Sequence, residues 1–213
     1  CVAFAKERGL FVWQDKTYNV VIVKEASAGY ENKEPLILQG HLDMVCEKTE
    51  HSDHDFLTDP LELMVEDGYV TAKDTTLGAD NGIAIAMALA VLDNETLEHP
   101  PVEALFTVDE EVSMDGAANV DLSRLQGKML LNLDSEEDDT LTAGCAGGFR
   151  FSCEIPVQKT TAKGSGLLVE ICGLKGGHSG VEIDRQRGNA NKLAGRMLYR
   201  LGREQEIFLV EIS

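Results

Sequence analysis

Paired cysteines are missing from this chain. Its five, Cys1, Cys46, Cys145, Cys153 and Cys172, are odd in number, scattered and never in a CxxC pair. That excludes a disulfide framework and a structural zinc knot, and makes a reducing cytoplasm the simplest compartment. Basic residues are scarce: 19 Lys and Arg face 37 Asp and Glu, for a formal net charge of -18. Phosphates would be repelled, which argues against nucleic acid and against an anionic membrane surface, although most of these carboxylates simply solubilise the chain. The apolar run IAIAMALAVL stops at Asp93, well short of the roughly 20 residues that span a bilayer, so no transmembrane segment is expected. No GxSxG elbow occurs and no cysteine directly adjoins a histidine, which leaves neither a serine triad nor a cysteine nucleophile supported. The opening CVAFAKERGL reads as the tail of an amphipathic helix, not as a signal peptide, and places the natural start upstream.

What is present suffices for a core: 43% hydrophobic residues over 213 positions. The run LFVWQDKTYNVVIVKEA predicts a β-hairpin, and ELMVEDGYVTA repeats that pattern around Asp67-Gly68. Between them PLILQG suits a strand buried on both faces. Residues 82–92 are rich in helix formers, which puts Asp80 near the positive end of a helix. PVEALFTV and KMLLNL are two further strands, each running directly into acidic residues. Strands alternating with helices predict an α/β layer with a mixed, mostly parallel sheet. Ligands gather outside the carboxyl ends of such strands. After the Gly and Ala stretch TAGCAGG, the segments FRFSCEIPV, GLLVEICGL and IFLVEIS predict strands. NANKLAGRMLYRL predicts a helix with Ala190, Leu193, Met197, Leu198 and Leu201 on one face. The expected division is residues 1–148, the N-terminal part of one domain, and 149–213, the first part of a smaller α+β domain.

The chemistry-bearing residues sit at the ends of apolar runs: His41 and Asp43 in LILQGHLD, Asp80 in LGADNG, Glu110 and Glu111 in LFTVDEE, Asp134 in LLNLDSE. In an extended segment His41 and Asp43 point to one side, so the imidazole can bind a metal while the carboxylate orients it. Glu110 and Glu111, if extended, point to opposite sides and suit two tasks. Two adjacent carboxylates at a strand end are costly to bury without a cation. With Asp80 and Asp134 they complete a mixed nitrogen and oxygen donor set suited to Zn²⁺, Mn²⁺ or Co²⁺. A metal pair of this kind supports hydrolysis. His51 and His54 in HSDHD have metal-like spacing but fit a polar loop, and His99, before Pro100-Pro101, reads as a connection.

The segments GHLDMV, KDTTLGADNGIA, TVDEEVSMDGA, NLDSE and GLKGGHSG, in this order, resemble the co-catalytic metallopeptidases that join a zinc-peptidase catalytic domain to an inserted lid or dimerisation domain. Within that family the wording is most similar to dipeptidases acting on Xaa-His peptides. The resemblance covers essentially the whole chain. It implies a three-layer, zinc-peptidase-like α/β catalytic domain followed by the first part of a lid, two divalent metal ions with zinc foremost, small peptide substrates, and a homodimer formed through the lid. By position it makes His41 a ligand of one metal, Asp80 the bridging carboxylate, Glu111 a ligand of the other metal and Asp134 a further ligand. Asp43 would orient His41, Glu110 would be the general base, and His178 of GGHSG would help stabilise the oxyanion. The Asp80-Asn81 peptide is often cis in such enzymes. The family uses one more histidine ligand beyond the lid, which no residue here supplies, so a piece of a longer enzyme, poorly active by itself, is expected. Deacylation of N-acyl amino acids would use the same residues, and an inactive metal-binding or dimerisation module is the third reading.

Overall fold

The structure is a computed structural model that describes residues 1–135, 139–145, 147, 149, 151–177 and 182–212. Its elements are α1 (Val2–Glu7), β1 (Phe11–Gln14), β2 (Val20–Lys24), β3 (Leu36–His41), β4 (Leu63–Glu66), β5 (Tyr69–Ala72), α2 (Ala79–Asp93), β6 (Val102–Thr107), α3 (Asp115–Asn119), β7 (Met129–Asn132) and α4 (Ala190–Glu204). They fall into two units, residues 1–144 and 145–213, which divide within TAGCAGG.

β-Branched and aromatic runs flank a polar turn in β1 and β2, which pair antiparallel. Five strands follow the order β1-β2-β6-β3-β7. β3 is parallel to both β6 and β7, and β2 is antiparallel to β6 and β1, so every strand but β2 runs one way. This is the mixed, mostly parallel sheet that the alternation of strands and helices predicts. β6 is buried along its whole length, as a central strand covered on both faces should be. One face packs Val20, Ile22, Leu38, Ala104 and Phe106 against Ala5 of α1 and Ala88 and Leu92 of α2. The other packs Val21, Ile37 and Leu105 beneath Trp13, Val120 and Leu125. The second predicted hairpin, β4 with β5, forms its own two-stranded sheet.

α2 rests on β3 through Asn81, Ala84, Ala88 and Leu92, a stripe at three- and four-residue spacing. Small residues let the two elements approach closely. A Cβ on Gly40 would fall 2.5 Å from Asn81 Oδ1 and 2.8 Å from Ala84 Cβ, so this strand position admits only glycine.

The β1–β2 turn also reaches toward the loop after β6. Asp15 Oδ1 accepts hydrogen bonds from Thr17 N (2.9 Å), Thr17 Oγ1 (2.8 Å) and Asn19 N (2.9 Å), and Oδ2 accepts from Asn19 Nδ2 (2.7 Å). Asn19, fully buried, donates to Gly116 O (2.9 Å) and accepts from Val108 N (3.2 Å). It thereby clamps both ends of the loop that carries Glu110 and Glu111. Burial raises the Asp15 pKa, but the Asn19 and Thr17 donors outweigh it and hold the carboxyl below its ordinary value. A depressed folded pKa contributes stability above the unfolded carboxylate pKa of about 4 and loses it as pH falls through the folded value. Asp15→Asn should therefore cost about 1–2 kcal/mol at pH 7, measured as a lower urea midpoint, and the gap to the parent should narrow near pH 3. An undiminished gap at pH 3 would remove the charged carboxylate as its cause.

In the second unit α4 forms as predicted, started by Asn189, whose side chain accepts from Lys192 N. The predicted strands do not form: described residues of 151–157, 166–174 and 207–212 are irregular. A strand exists only through its hydrogen-bonded neighbour, and Phe151, Ile155, Leu167, Leu168 and Val210 are exposed with no facing strand among the described residues. Of the expected α+β character this unit therefore shows only its helical part. His178 lies outside the described residues.

Candidate metal centre

Parallel pairing brings the carboxyl ends of β3, β6 and β7 to one edge, where His41 stands level with Thr107 and Gln39 with Asn132. His41, the last residue of β3, is only 2% exposed. Its Nε2 faces three carboxylates: Asp80 Oδ1 at 3.1 Å, Asp134 Oδ2 at 3.7 Å and Glu110 Oε2 at 3.9 Å. Nδ1 has Asp43 O at 3.0 Å and Asp43 Oδ1 at 3.4 Å. A proton on Nδ1 thus has an acceptor within reach, which leaves the Nε2 lone pair to face the carboxylates.

Two sets of donor atoms lie within 4.8 Å of one another: His41 with Asp80 and Asp134, and His41 with Glu110 and Glu111. All the residues expected to hold metal are therefore gathered here, although they come from four separate segments. Glu111 groups with His41 and Glu110 and not with Asp80. His51 and His54 belong to no such set among the described residues, in keeping with a polar loop. His99 is buried, and its Nδ1 faces Pro100 O at 2.7 Å.

Burial works against a charged His41, yet the Asp80 hydrogen bond and the Asp134 charge outweigh it and raise its pKa. Burial also raises the Glu110 pKa; the His41 charge opposes this, while the charges of Asp134, Glu111 and Asp43 add to it. Electrostatics that favour a proton on a buried imidazole among carboxylates favour a divalent cation in its place. The donor chemistry, one imidazole nitrogen with several carboxylate oxygens, fits zinc, manganese or cobalt.

Local geometry differs from the sequence reading at two points. Glu110 and Glu111 are not extended: β6 ends at Thr107, Asp109 takes a positive φ of 57°, and the two glutamates lie in the turn that follows. Turning the chain there directs both toward His41, whereas an extended pair would diverge. Asp43 serves this turn as well as the imidazole, because its Oδ2 accepts from Glu111 N at 3.0 Å. Burial raises the Asp43 pKa, but the Glu111 and Glu110 backbone donors outweigh it and hold it low.

Within the first turn of α2, Asp80 and Asn81 form a non-helical kink with φ/ψ of -86°/105° and -114°/32°, so regular helix continues from Gly82, and the peptide between them is cis. The sequence pointed to Asn81 only as the partner of Asp80 in a cis peptide, and gave Gln39, Thr107 and Asn132 no part. Asn132 Nδ2 donates to Gln39 Oε1 (2.5 Å), Gln39 Nε2 to Thr107 Oγ1 (3.1 Å), and Asp134 N to Asn132 Oδ1 (3.1 Å). Lone amides inside LILQG and LLNLD were the available signal, since a polar side chain in an apolar strand needs a partner.

Residues 37–184 match peptidase family M20/M25/M40. The chain is 43% identical over 214 residues to the cytosol non-specific dipeptidase of Escherichia coli, covering all of this chain and 44% of that protein. Among solved structures it is similar to the aminoacylhistidine dipeptidase of Vibrio alginolyticus, with a TM-score of 0.64 and 39% identity, over 95% of this chain and 42% of that one. It is also similar to the aminopeptidase PepT of Bacillus cereus, with a TM-score of 0.50 and 25% identity, over 64% of this chain and 38% of that one. The chain thus spans less than half the length of the relatives it matches.

Proposed function

Given that this chain belongs to peptidase family M20/M25/M40, we propose that the protein hydrolyses dipeptides, Xaa-His peptides such as β-alanyl-histidine among them, with the help of two divalent cations, zinc foremost. The observation that carries this reading is His41 Nε2, buried and turned toward Asp80, Asp134 and Glu110 at one edge of the sheet. His41, Asp80 and Asp134 would hold one cation, and Glu111 would serve the second, with Asp80 shared. Such ions lower the pKa of a water and polarise a carbonyl. Asp43 would orient the His41 ring through its backbone O, which faces Nδ1 at 3.0 Å, while its carboxylate Oδ2 accepts from Glu111 N in the turn beside it. Glu110 is the general base: its carboxylate takes a proton from the attacking water and passes it to the departing amine. His178, carried over from the family resemblance, would donate to the oxyanion. A cytosolic location and a homodimer through the second unit complete the proposal; the similarity to the cytosol non-specific dipeptidase of Escherichia coli supports the first.

Chelation followed by dialysis should abolish turnover of β-alanyl-histidine by the full-length protein, and Zn²⁺, Mn²⁺ or Co²⁺ should restore it. Profiling against dipeptides and N-acetylated amino acids tests the substrate class. Efficient deacetylation without dipeptide cleavage would overturn the dipeptidase reading in favour of a deacylase, and inertness toward both would favour a binding or dimerisation module.

A further inference from the structure

One side chain ties three of the metal-facing segments together, and it is not itself a metal donor. Asn81 is 2% exposed. Its Oδ1 accepts from the backbone N of His41 at 3.1 Å, and its Nδ2 donates to Asp134 Oδ1 at 3.2 Å and to Leu133 O at 3.4 Å. Asn81 also follows Asp80 directly in the chain. A single amide therefore links the end of β3, the start of α2 and the segment after β7, and the Asn132 side chain adds a second tie between β3 and Asp134 by donating to Gln39 and accepting from Asp134 N.

We propose that Asn81 is the positioning residue that sets the spacing of His41, Asp80 and Asp134 for a divalent cation; this rests on the metal reading given above. The donor and acceptor ends are used in the only sense that serves the site. Nδ2 holds one carboxylate oxygen of Asp134 and leaves Oδ2 turned toward His41 Nε2 at 3.7 Å. Oδ1 takes up the His41 N–H, a donor at the very end of its strand. An aspartate here would keep the shape and the acceptor but set a second carboxylate against Asp134 and against a carbonyl, where like charge is costly. The seat is made to measure: Asn81 Oδ1 lies where a Cβ on residue 40 would stand, at 2.5 Å. Glycine at position 40 therefore serves the amide as well as helix packing. Outer-shell partners of metal ligands are typically worth 10–100-fold in metal affinity.

The test is titration of the metal-free protein with Zn²⁺ against a chromophoric chelator, together with the visible spectrum of the Co²⁺ form. Asn81→Ala and Asn81→Asp are compared with parent protein and with Asp134→Ala, each at matched folded fraction by circular dichroism. Asn81→Asp carries the test if the alanine variant does not fold. At least a tenfold loss of affinity at one site, with an altered Co²⁺ spectrum, is expected for the Asn81 variants. Affinity unchanged or tighter in the folded Asn81 variants, while Asp134→Ala loses it, overturns the inference and leaves the metal reading standing. If Asp134→Ala also binds as the parent does, the metal reading itself fails.

Discussion

Glu110→Gln in the full-length protein should lower kcat for dipeptide hydrolysis by about 10²-fold or more and leave the content of the two proposed metal ions unchanged. The amide keeps the size of the carboxylate and cannot accept a proton. Glu110 Oε2 lies 3.9 Å from His41 Nε2, within the donor set that it forms with His41 and Glu111. A carboxylate there is close enough to the donor cluster to take a proton from a water beside it. Steady-state kinetics with parallel metal analysis checks this. A variant that loses metal along with activity would make Glu110 a ligand, and one that retains activity would remove it as the base.

Asp80→Ala should act differently, by emptying the site. Asp80 makes the shortest approach to His41 Nε2, at 3.1 Å, and it stands at the start of α2, where the helix dipole favours an anion. If its two oxygens are shared between two cations, its loss should take metal content from two equivalents to below one and turnover to background. Elemental analysis of the purified variant reads this out. Two ions still tightly held would refute the bridging role and confine Asp80 to steadying His41.

Much of this arrangement is written locally. Val20–Lys24, Leu36–His41 and Val102–Thr107 carry the β-branched and apolar runs of buried strands, and the acids and histidine that terminate such runs are readable because the carboxyl ends of parallel strands share an edge. What escaped is what depends on distant partners. Asn81 finds His41 N 40 residues away and Asp134 53 residues away. Asp43 finds Glu111 N across 68. No pattern within a short window encodes these bonds. The turn that gathers Glu110 and Glu111 depends on the backbone angle of Asp109, which residue type alone does not dictate. The strands expected between residues 149 and 174 fail for a related reason: alternation shows that a segment could form a strand, and pairing decides whether it does.

The most direct test of the account is anomalous diffraction at the zinc edge from crystals of the zinc-loaded protein. A strong peak within coordination distance of His41 Nε2 and carboxylate oxygens of Asp80 and Asp134, with a second peak beside Glu111, is the predicted result. Zinc found instead at His51 and His54, or no ordered zinc at the end of β3, would contradict it.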